Sequence, residues 1–310
     1  MGTTGAVGAQ TIKKSTVEKN AGEFMIEINK IHNLDCIKAI KLIDDESVDL
    51  IITDPPYNIG QENKRTKVGN VIMTNKEAWG EWDDYEPAEF ELFFTNYLKE
   101  CFRILKREGV MYCFSARKDN GFYIHKAVDI GFTYLNSLAI VKDNPLPHFA
   151  KTNFRSAFEL CFYVCKGDKP KTFNFISQQE CVNVYRYLIG IKDTEHPTEK
   201  PLNFFRRLIK ISSNEGDLVF DGFMGSGTTA VASKQLNRNF IGFEINESYL
   251  AMANKRLSQN TLFNVQRFHD NDFINLWLNF GLYVGVCIVI VISLFYGIMQ
   301  RKNYVKNKNG

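Results

Sequence analysis

Short apolar runs that alternate with helical patterns constrain the fold of this 310-residue chain more than any other feature of its sequence. The alternation extends from about residue 22 to 272 and is typical of a parallel α/β sheet, in which helices connect neighbouring strands. Apolar residues at helical spacing predict a helix over 88–106. We predict strands at 48–52, 110–114, 138–141, 160–164, 218–220 and 240–243. The sequence therefore predicts an α/β fold with a mostly parallel sheet.

Composition narrows the classes of function that such a chain can serve. Apolar residues make up 45% of the chain, with 25 Phe and 13 Tyr, so a wholly disordered protein is excluded. The 7 Cys residues are odd in number and lack metal-ligand spacing, which predicts free thiols, a reducing cytoplasmic compartment and no metal site. Basic residues concentrate at the two ends of the chain and leave residues 21–300 mildly acidic. Binding to nucleic acid would therefore depend on local basic loops.

The C-terminal part of the chain contains 20 consecutive residues without a charge, at 280–299. Twenty helical residues span about 30 Å, the thickness of a bilayer core. We predict a transmembrane segment there, followed by a basic tail over 300–310, and a buried hydrophobic helix is the alternative. The positive-inside rule would place that tail in the cytoplasm and the main domain on the other side of the membrane. A cytoplasmic main domain needs the reverse, so the orientation stays open. At the other end, residues 1–21 predict a flexible arm.

A Gly-rich segment, Asp221–Thr229, follows one predicted strand and leads into a predicted helix over 229–236. Glycines there let the backbone approach a ligand closely, and the helix N-terminus offers N–H groups. Glu244 ends the next predicted strand, where an acidic residue can bind both hydroxyls of a ribose. The lack of a third Gly disfavours NAD, and the lack of Gly-Lys-Ser/Thr excludes a P-loop. The segment predicts a nucleotide-type ligand at the carboxyl ends of the strands.

A second motif, Asp54-Pro55-Pro56-Tyr57, also ends a predicted strand. Its two prolines fix the backbone and remove two N–H donors, so the local carbonyls stay available as acceptors. The Asp54 carboxylate and one carbonyl can then accept from a single amino group, while the Tyr57 ring offers a flat face for a base. These parts suit the exocyclic amine of a nucleobase. An ordinary strand-ending turn explains the segment equally well when it is taken alone.

The order of these two motifs, with His196-Pro197-Thr198-Glu199-Lys200-Pro201 just upstream of the second, resembles the amino-group DNA methyltransferases of the circularly permuted β class. The resemblance covers about residues 25–258. It implies a Rossmann-like, S-adenosylmethionine-dependent methyltransferase fold, with S-adenosyl-L-methionine as the cofactor. It also implies double-stranded DNA as the partner, a homodimer as the candidate assembly and a place in a restriction-modification system.

The resemblance, carried over residue by residue, implies two sets of site residues. The catalytic set is Asp54, Pro55, Pro56 and Tyr57. The cofactor-binding set is Asp35, Lys200, Pro201, Asp221, Phe223, Gly225, Gly227, Thr228 and Glu244. Glu159 matches a strand position that is structural more than catalytic. Gly222 stands where the family usually has Pro, which predicts a looser cofactor loop.

The implied reaction is direct methyl transfer to an exocyclic nitrogen of a base that has left the double helix. The Asp form of the catalytic motif favours N6 of adenine, and N4 of cytosine remains the main alternative. None of the 8 Pro residues is followed by Cys, which disfavours the C5-cytosine route. Methylation of RNA or of a protein amide is a weaker alternative. An inactive, membrane-tethered nucleic-acid-binding protein is the alternative from another class, suggested by Gly222 and the apolar run.

DNA contacts are predicted within a small target-recognition insertion at about 142–195 of a catalytic domain spanning 22–272. Basic and amide side chains in the insertion can reach phosphates and base edges, although each of them fits a solvated loop as well. The predicted DNA-binding residues are Lys142, Lys151, Asn153 and Arg155. The polar stretch 58–86 predicts a long loop.

Overall fold

The computed structural model describes residues 26–58, 65–68, 71–74, 85–148, 151–190 and 199–259. The predicted arm at 1–21, the predicted membrane segment at 280–299 and the basic tail at 300–310 lie outside these ranges. Within them, no helix is both long enough and apolar enough to cross a membrane.

Strands and helices alternate along most of the described chain, as the sequence predicted, apart from two runs of consecutive strands over 48–74 and 133–187. The strands are β1 (Lys30–His32), β2 (Val48–Thr53), β3 (Arg65–Val68), β4 (Val71–Thr74), β5 (Leu105–Ser115), β6 (Thr133–Lys142), β7 (Phe158–Cys165), β8 (Val184–Tyr187), β9 (Leu218–Asp221) and β10 (Asn239–Phe243). The helices are α1 (Cys36–Ala39), α2 (Pro87–Ile104), α3 (Asn120–Ile130), α4 (Leu202–Ser212), α5 (Thr228–Gln235) and α6 (Glu247–Gln259). A short 3₁₀ turn, Ile40–Leu42, continues α1.

Eight of the strands form one sheet in the order β1-β10-β9-β2-β5-β7-β6-β8. All neighbours are parallel except those of β7, which runs antiparallel to both β5 and β6. The predicted mostly parallel sheet is therefore confirmed, and the antiparallel strand is an addition. Apolar runs do not encode strand direction, because a strand that is buried on both faces looks the same in either orientation.

The sheet brings the two sequence motifs to the same edge. β2 pairs in parallel with β9, and Ile51 lies opposite Phe220 in the register. The carboxyl ends of both strands consequently meet, with Asp54 following β2 and Asp221 ending β9. β10 lies on the other side of β9, so Glu244 joins the same edge. Ligands of open α/β sheets bind at this edge.

Helices cover both faces of the sheet, and β2 shows how the sequence allows this. Ile51 packs into the core cluster that contains Phe94 of α2, whereas Leu50 and Ile52 pack into the cluster that contains Phe204 of α4. Successive strand residues point to opposite faces, so a continuous apolar run is buried on both. Complete burial of a side chain such as Phe94 stabilises the fold by about 1.5–3 kcal/mol.

The predicted long loop at 58–86 was only partly correct. Its described residues include β3 and β4, which pair as an antiparallel hairpin with Arg65 opposite Thr74 and Val68 opposite Val71. The sequence did carry a signal, because the two runs are separated by Gly69-Asn70, a dipeptide typical of two-residue hairpin turns. Four-residue strands are too short for alternation of apolar residues to reveal them.

Candidate active site

The turn after β2 places three polar groups in direct contact. The Tyr57 hydroxyl donates a hydrogen bond to Oδ1 of Asp54. The Lys200 Nζ lies 2.8 Å from Oδ2 of the same carboxylate. Pro55 and Pro56 are buried and hold the turn between them. Burial, aided by the nearby Asp54 charge, raises the pKa of Tyr57 well above its usual range, so the hydroxyl remains a donor. Both oxygens of Asp54 therefore have partners.

The contact with Lys200 continues into a chain of four alternating charges. The Lys200 Nζ also lies 2.9 Å from Oε2 of Glu159, and Oε1 of Glu159 lies 2.6 Å from the Nζ of Lys142. We call Asp54, Lys200, Glu159 and Lys142 the charge chain. Burial alone would raise the pKa of Glu159, but Lys200 and Lys142 outweigh it and lower that pKa to about 2.

The charge chain gives two predicted site residues an unexpected place. Lys200 was predicted beside the cofactor and Lys142 on DNA, yet both ammonium groups contact the Glu159 carboxylate. The Lys142 side chain is 23% exposed, and its contact with DNA stays a prediction. Glu159 was predicted to be structural, and its pairing with both lysines is the contact that sequence reasoning missed. Nothing in the spacing of these residues encodes it.

The buried Asp221 carboxylate holds the Gly-rich loop through two hydrogen bonds. It is 3% exposed, and its two oxygens accept from the Phe223 backbone N–H at 3.0 Å and from the Thr229 hydroxyl at 2.5 Å. Burial raises the pKa of Asp221 to about 7, against the two hydrogen bonds that lower it. Gly227 has φ of +79°, and a Cβ there would lie 2.9 Å from the Cβ of Ala253 on α6. Glycine is therefore required at that position for both reasons.

Glu244 ties the loop to the neighbouring strand. Its Oε2 accepts from the Gly225 N–H at 2.8 Å, and its Oε1 accepts from the Asn246 N–H at 2.8 Å. Burial raises the pKa of Glu244, and these backbone donors oppose the shift. The Asn33 side chain donates to the Glu244 carbonyl at 2.9 Å and so joins the segment after β1 to the same edge. Asparagine at that position was not singled out by the sequence analysis.

Asp35 and Thr228 have local partners. The Asp35 carboxylate caps α1 by accepting from the Ile37 N–H at 2.9 Å. The Thr228 hydroxyl accepts from Arg256 of α6 at 2.9 Å, and the same guanidinium lies 3.0 Å from the Glu199 carboxylate. Arg256 is 3% exposed, so this buried pair anchors the residue that precedes Lys200. The pair was another contact that the sequence did not reveal.

The core leaves no room for a side chain at Gly222, and the looser loop predicted from this residue stays a prediction. A Cβ there would lie 2.5 Å from the Sγ of Cys36 and 2.7 Å from the Oη of Tyr97. Tyr97 is fully buried, its hydroxyl is 2.6 Å from the Thr53 Oγ1, and its ring packs at 5.0 Å against Phe223. Side chains of the core thus occupy the space that a larger residue would need.

The charged side chains at this edge of the sheet suit a ribose-containing, cationic ligand. The loop 221–229 carries no Lys or Arg, so it offers no side-chain cation to a phosphate. Asp35, Asp221 and Glu244 instead place carboxylates after three adjacent strands, β1, β9 and β10. Among the described residues, no cluster of metal-ligating side chains is found. A nucleoside with a positive charge fits these groups better than a nucleoside phosphate.

Lys142 is the last residue of β6, and the other three predicted DNA-binding residues lie on the loop that joins β6 to β7, of which residues 149–150 are outside the described ranges. Lys151 is exposed, the Asn153 side chain accepts from the Phe154 N–H at 2.7 Å, and the Arg155 guanidinium donates to the Pro145 carbonyl. Phe154 is 94% exposed. The loop therefore presents one aromatic ring between two basic residues.

The fold and site define a DNA methyltransferase, and comparisons with known proteins agree. The family model described as DNA methylase matches residues 48–255. The chain belongs to this family of N6 and N4 amino-methyltransferases, as the motifs had predicted.

Two curated relatives are type II methyltransferases. M.HinfI of Haemophilus influenzae is 33% identical over 260 residues, which is 78% of this chain and 71% of that protein. M.HpaI of Haemophilus parainfluenzae is 33% identical over 243 residues, which is 71% of each.

Solved structures share the fold. The complex of M1.HpyAVI with SAM has a TM-score of 0.57 and 26% identity, and covers 74% of this chain and 98% of its own. The cytosine-N4-specific PvuII DNA methyltransferase has a TM-score of 0.57 at 17% identity, over 80% of this chain and 90% of its own, which shows the fold alone. The predicted α/β methyltransferase fold is confirmed.

Proposed function

We propose that this chain transfers a methyl group from S-adenosyl-L-methionine to the exocyclic N6 of adenine in double-stranded DNA. One observation carries the proposal. The Asp54 carboxylate and the Gly-rich loop end adjacent parallel strands, β2 and β9, so an amine acceptor and a nucleoside cradle share one edge. Type II methyltransferases among the relatives and a SAM complex among the structural neighbours support it.

The residues of the turn would activate a poor nucleophile. The lone pair of an adenine amine is delocalised into the ring, and the nitrogen becomes positive only as it is methylated. The Asp54 carboxylate and the Pro55 carbonyl accept the two amine hydrogens and stabilise that developing charge. Tyr57 stacks on the extruded base, and Pro56 fixes the turn. When bound, S-adenosylmethionine would supply the methyl group and leave as S-adenosylhomocysteine once its methyl–sulfur bond breaks. The Asp54 carboxylate or water would take one proton from the methylated nitrogen.

Identification of the modified base tests the proposal against its alternatives. Purified protein would be incubated with DNA and methyl-labelled S-adenosylmethionine, and the DNA digested to nucleosides. N6-methyladenine is the expected product. N4-methylcytosine would replace the adenine assignment with the cytosine one, and C5-methylcytosine would overturn the direct-transfer mechanism. Absence of both transfer and cofactor binding would favour an inactive nucleic-acid-binding protein.

Domain limits and assembly are proposed on the same basis. We propose a catalytic domain over 22–272, acting in the cytoplasm within a restriction-modification system, with a homodimer as the candidate assembly. The recognition insertion at 142–195 includes β7, an interior strand of the sheet, so we place DNA recognition in the stretches on either side of that strand. Asn144 joins them by hydrogen bonds to both backbone groups of Ile189, at 2.6 and 3.0 Å. The membrane segment at 280–299 stays a prediction.

Replacement of Glu244 with alanine should weaken cofactor binding. The variant loses the acceptors for the ribose hydroxyls and frees the Gly225 N–H from its 2.8 Å hydrogen bond. Hydrogen bonds to charged groups contribute about 1.5–3 kcal/mol, so we expect a rise in dissociation constant of roughly 10- to 100-fold. Isothermal titration calorimetry with S-adenosylmethionine measures it. Glu247→Ala, on the exposed first turn of α6, is the matched control, and equal affinities in the two variants would contradict the role of Glu244.

Replacement of Lys151 with alanine should weaken DNA binding similarly for all sequences. An exposed lysine that contacts a phosphate releases one counterion, so the slope of log affinity against log salt should fall by about 1. Fluorescence anisotropy with a labelled duplex at several salt concentrations measures the slope. Lys38→Ala serves as the control, because that side chain is 86% exposed on α1. An unchanged slope in the Lys151 variant would remove this residue from the DNA-binding surface.

A further inference from the structure

We propose that Lys200 is a positioning residue for methyl transfer, which holds the Asp54 carboxylate through an ion pair that Glu159 balances. The inference rests on the proposed function. The Lys200 Nζ lies 2.8 Å from Asp54 and 2.9 Å from Glu159, and its side chain is 10% exposed. It also lies over the Phe114 ring, 4.9 Å from the centroid. Three separate elements, the turn after β2, strand β7 and the segment before α4, thus supply the three charges.

Stability alone gives a poor reason for this arrangement. Removing charges from water costs several kcal/mol per ion, and apolar residues of similar volume often stabilise a fold as well as a buried ion pair does. Glu159, Lys200 and Asp54 have side chains that are 22%, 10% and 24% exposed. The charge chain costs desolvation free energy, and it ends at Asp54, the proposed amine acceptor. We therefore infer that it has a role in the reaction.

The contacts of Lys200 fix the orientation of the acceptor. The Tyr57 hydroxyl binds Oδ1 of Asp54, and Lys200 binds Oδ2, so the plane of the carboxylate is held from two sides. A carboxylate without the second contact could rotate about its side-chain torsions. Small misplacements of a reacting group can reduce a rate by about 100-fold. Lys200 therefore pre-organises Asp54 before the base arrives.

Glu159 has a separate electrostatic role in the charge chain, which is to balance the charge of Lys200. A lone ammonium beside Asp54 would cancel the negative charge that must stabilise the methylated nitrogen. With Glu159 on the far side of Lys200, the three groups together keep one net negative charge. Lys142 at the outer end then pairs with Glu159 at 2.6 Å. The four charges of the charge chain sum to zero, but Lys200 is shared between two carboxylates and therefore offsets only part of the Asp54 charge.

Asp54 is faced by titratable groups from every element packed against it. These groups are Tyr57, Lys200, Cys113 on β5, Cys161 on β7 and Asp221 on β9. Burial raises the pKa of both thiols, and the Asp54 charge adds to the shift, so the thiols are neutral near pH 7. Burial raises the pKa of Asp221 to about 7, so that group adds negative charge as pH increases. Lys200 is the cation in this set.

Steady-state kinetics of Lys200→Met and Lys200→Arg test the proposal, with product identified as N6-methyladenine. We expect Lys200→Met to lower kcat roughly 10- to 100-fold, with KM for DNA and the cofactor dissociation constant nearly unchanged. Lys200→Arg keeps the charge and should retain most of the wild-type kcat. Lys210→Met, on the exposed last turn of α4, is the control.

Glu159→Gln provides a second, independent variant. It should lower kcat, because Lys200 then pairs with Asp54 alone. If Lys200→Met does not fold, as judged by thermal unfolding, Glu159→Gln carries the test. Normal kcat in a folded Lys200→Met or in Glu159→Gln would overturn the proposal, as would a loss confined to cofactor binding. Failure of the wild-type chain to methylate adenine would instead refute the proposed function.

Discussion

Replacement of Asp54 with alanine should abolish methyl transfer to DNA while leaving cofactor binding intact. In the proposed mechanism, Asp54 is the acceptor that stabilises positive charge on the amine in the transition state, and a single preorganised group of this kind is worth about 100- to 1,000-fold in rate. The cofactor loop has its own supports, because Asp221 and Glu244 bind backbone N–H groups of that loop. Lys200 keeps its contact with Glu159 in the variant, so its charge is not left alone in the core.

Two measurements separate catalysis from binding in this variant. Single-turnover transfer of labelled methyl to DNA should fall by about 1,000-fold, while calorimetric affinity for S-adenosylmethionine stays near the wild-type value. The transfer rate of Asp54→Asn, which keeps the shape of the side chain and loses its charge, should fall between the rates of wild type and Asp54→Ala. Asp129→Ala, on the exposed face of α3, is the matched control for loss of an acidic residue. Wild-type transfer by Asp54→Ala would refute the assignment of this residue as the acceptor.

Much of the fold and the two motifs could be predicted because their signals are local. The apolar run before Asp54 predicted a strand, and the glycines at 222–227 predicted a turn that only small residues allow. Both predictions agree with β2 and with the loop after β9. Parallel strands leave their carboxyl ends at one edge, so the placement of both motifs there followed from the predicted fold class.

Contacts between distant parts of the chain could not be predicted in the same way. The motif placed Lys200 beside the cofactor, which stays a prediction, but it did not reveal that the ammonium lies between Asp54 and Glu159. The sequence likewise did not predict the buried ion pair between Arg256 and Glu199. These contacts depend on the order of strands in the sheet and on the path of α4 and α6, which a pattern of residue types does not specify.

Tyr97 shows how such a contact joins the two motifs. It comes from the middle of α2, its hydroxyl bonds to Thr53 beside the catalytic turn, and its ring packs against Phe223 in the cofactor loop. The absence of a side chain at Gly222 leaves room for that hydroxyl, 2.7 Å from where a Cβ would lie. Tyr97 therefore packs between the turn after β2 and the loop after β9.

Replacement of Gly222 with alanine should therefore destabilise the protein and weaken cofactor binding. The new Cβ would lie 2.5 Å from the Cys36 Sγ and 2.7 Å from the Tyr97 Oη, both within the core. Overpacking of this kind costs about 1–3 kcal/mol in the free energy of unfolding, which urea denaturation measures. Gly121→Ala is the matched control, since a Cβ there meets nothing within 4 Å.

Coupling between Gly222 and its neighbours distinguishes a steric effect from a loss of backbone freedom. If the clash causes the loss of stability, Gly222→Ala should lower the free energy of unfolding less in a background that carries Cys36→Ala and Tyr97→Phe. These two substitutions remove the Sγ and Oη atoms that the new Cβ would meet. A double-mutant cycle would then show a coupling energy of about 0.5–3 kcal/mol. An alanine variant as stable as wild type would refute the packing account. So would a cost that stays the same in both backgrounds, because strain in the backbone does not depend on the neighbouring side chains.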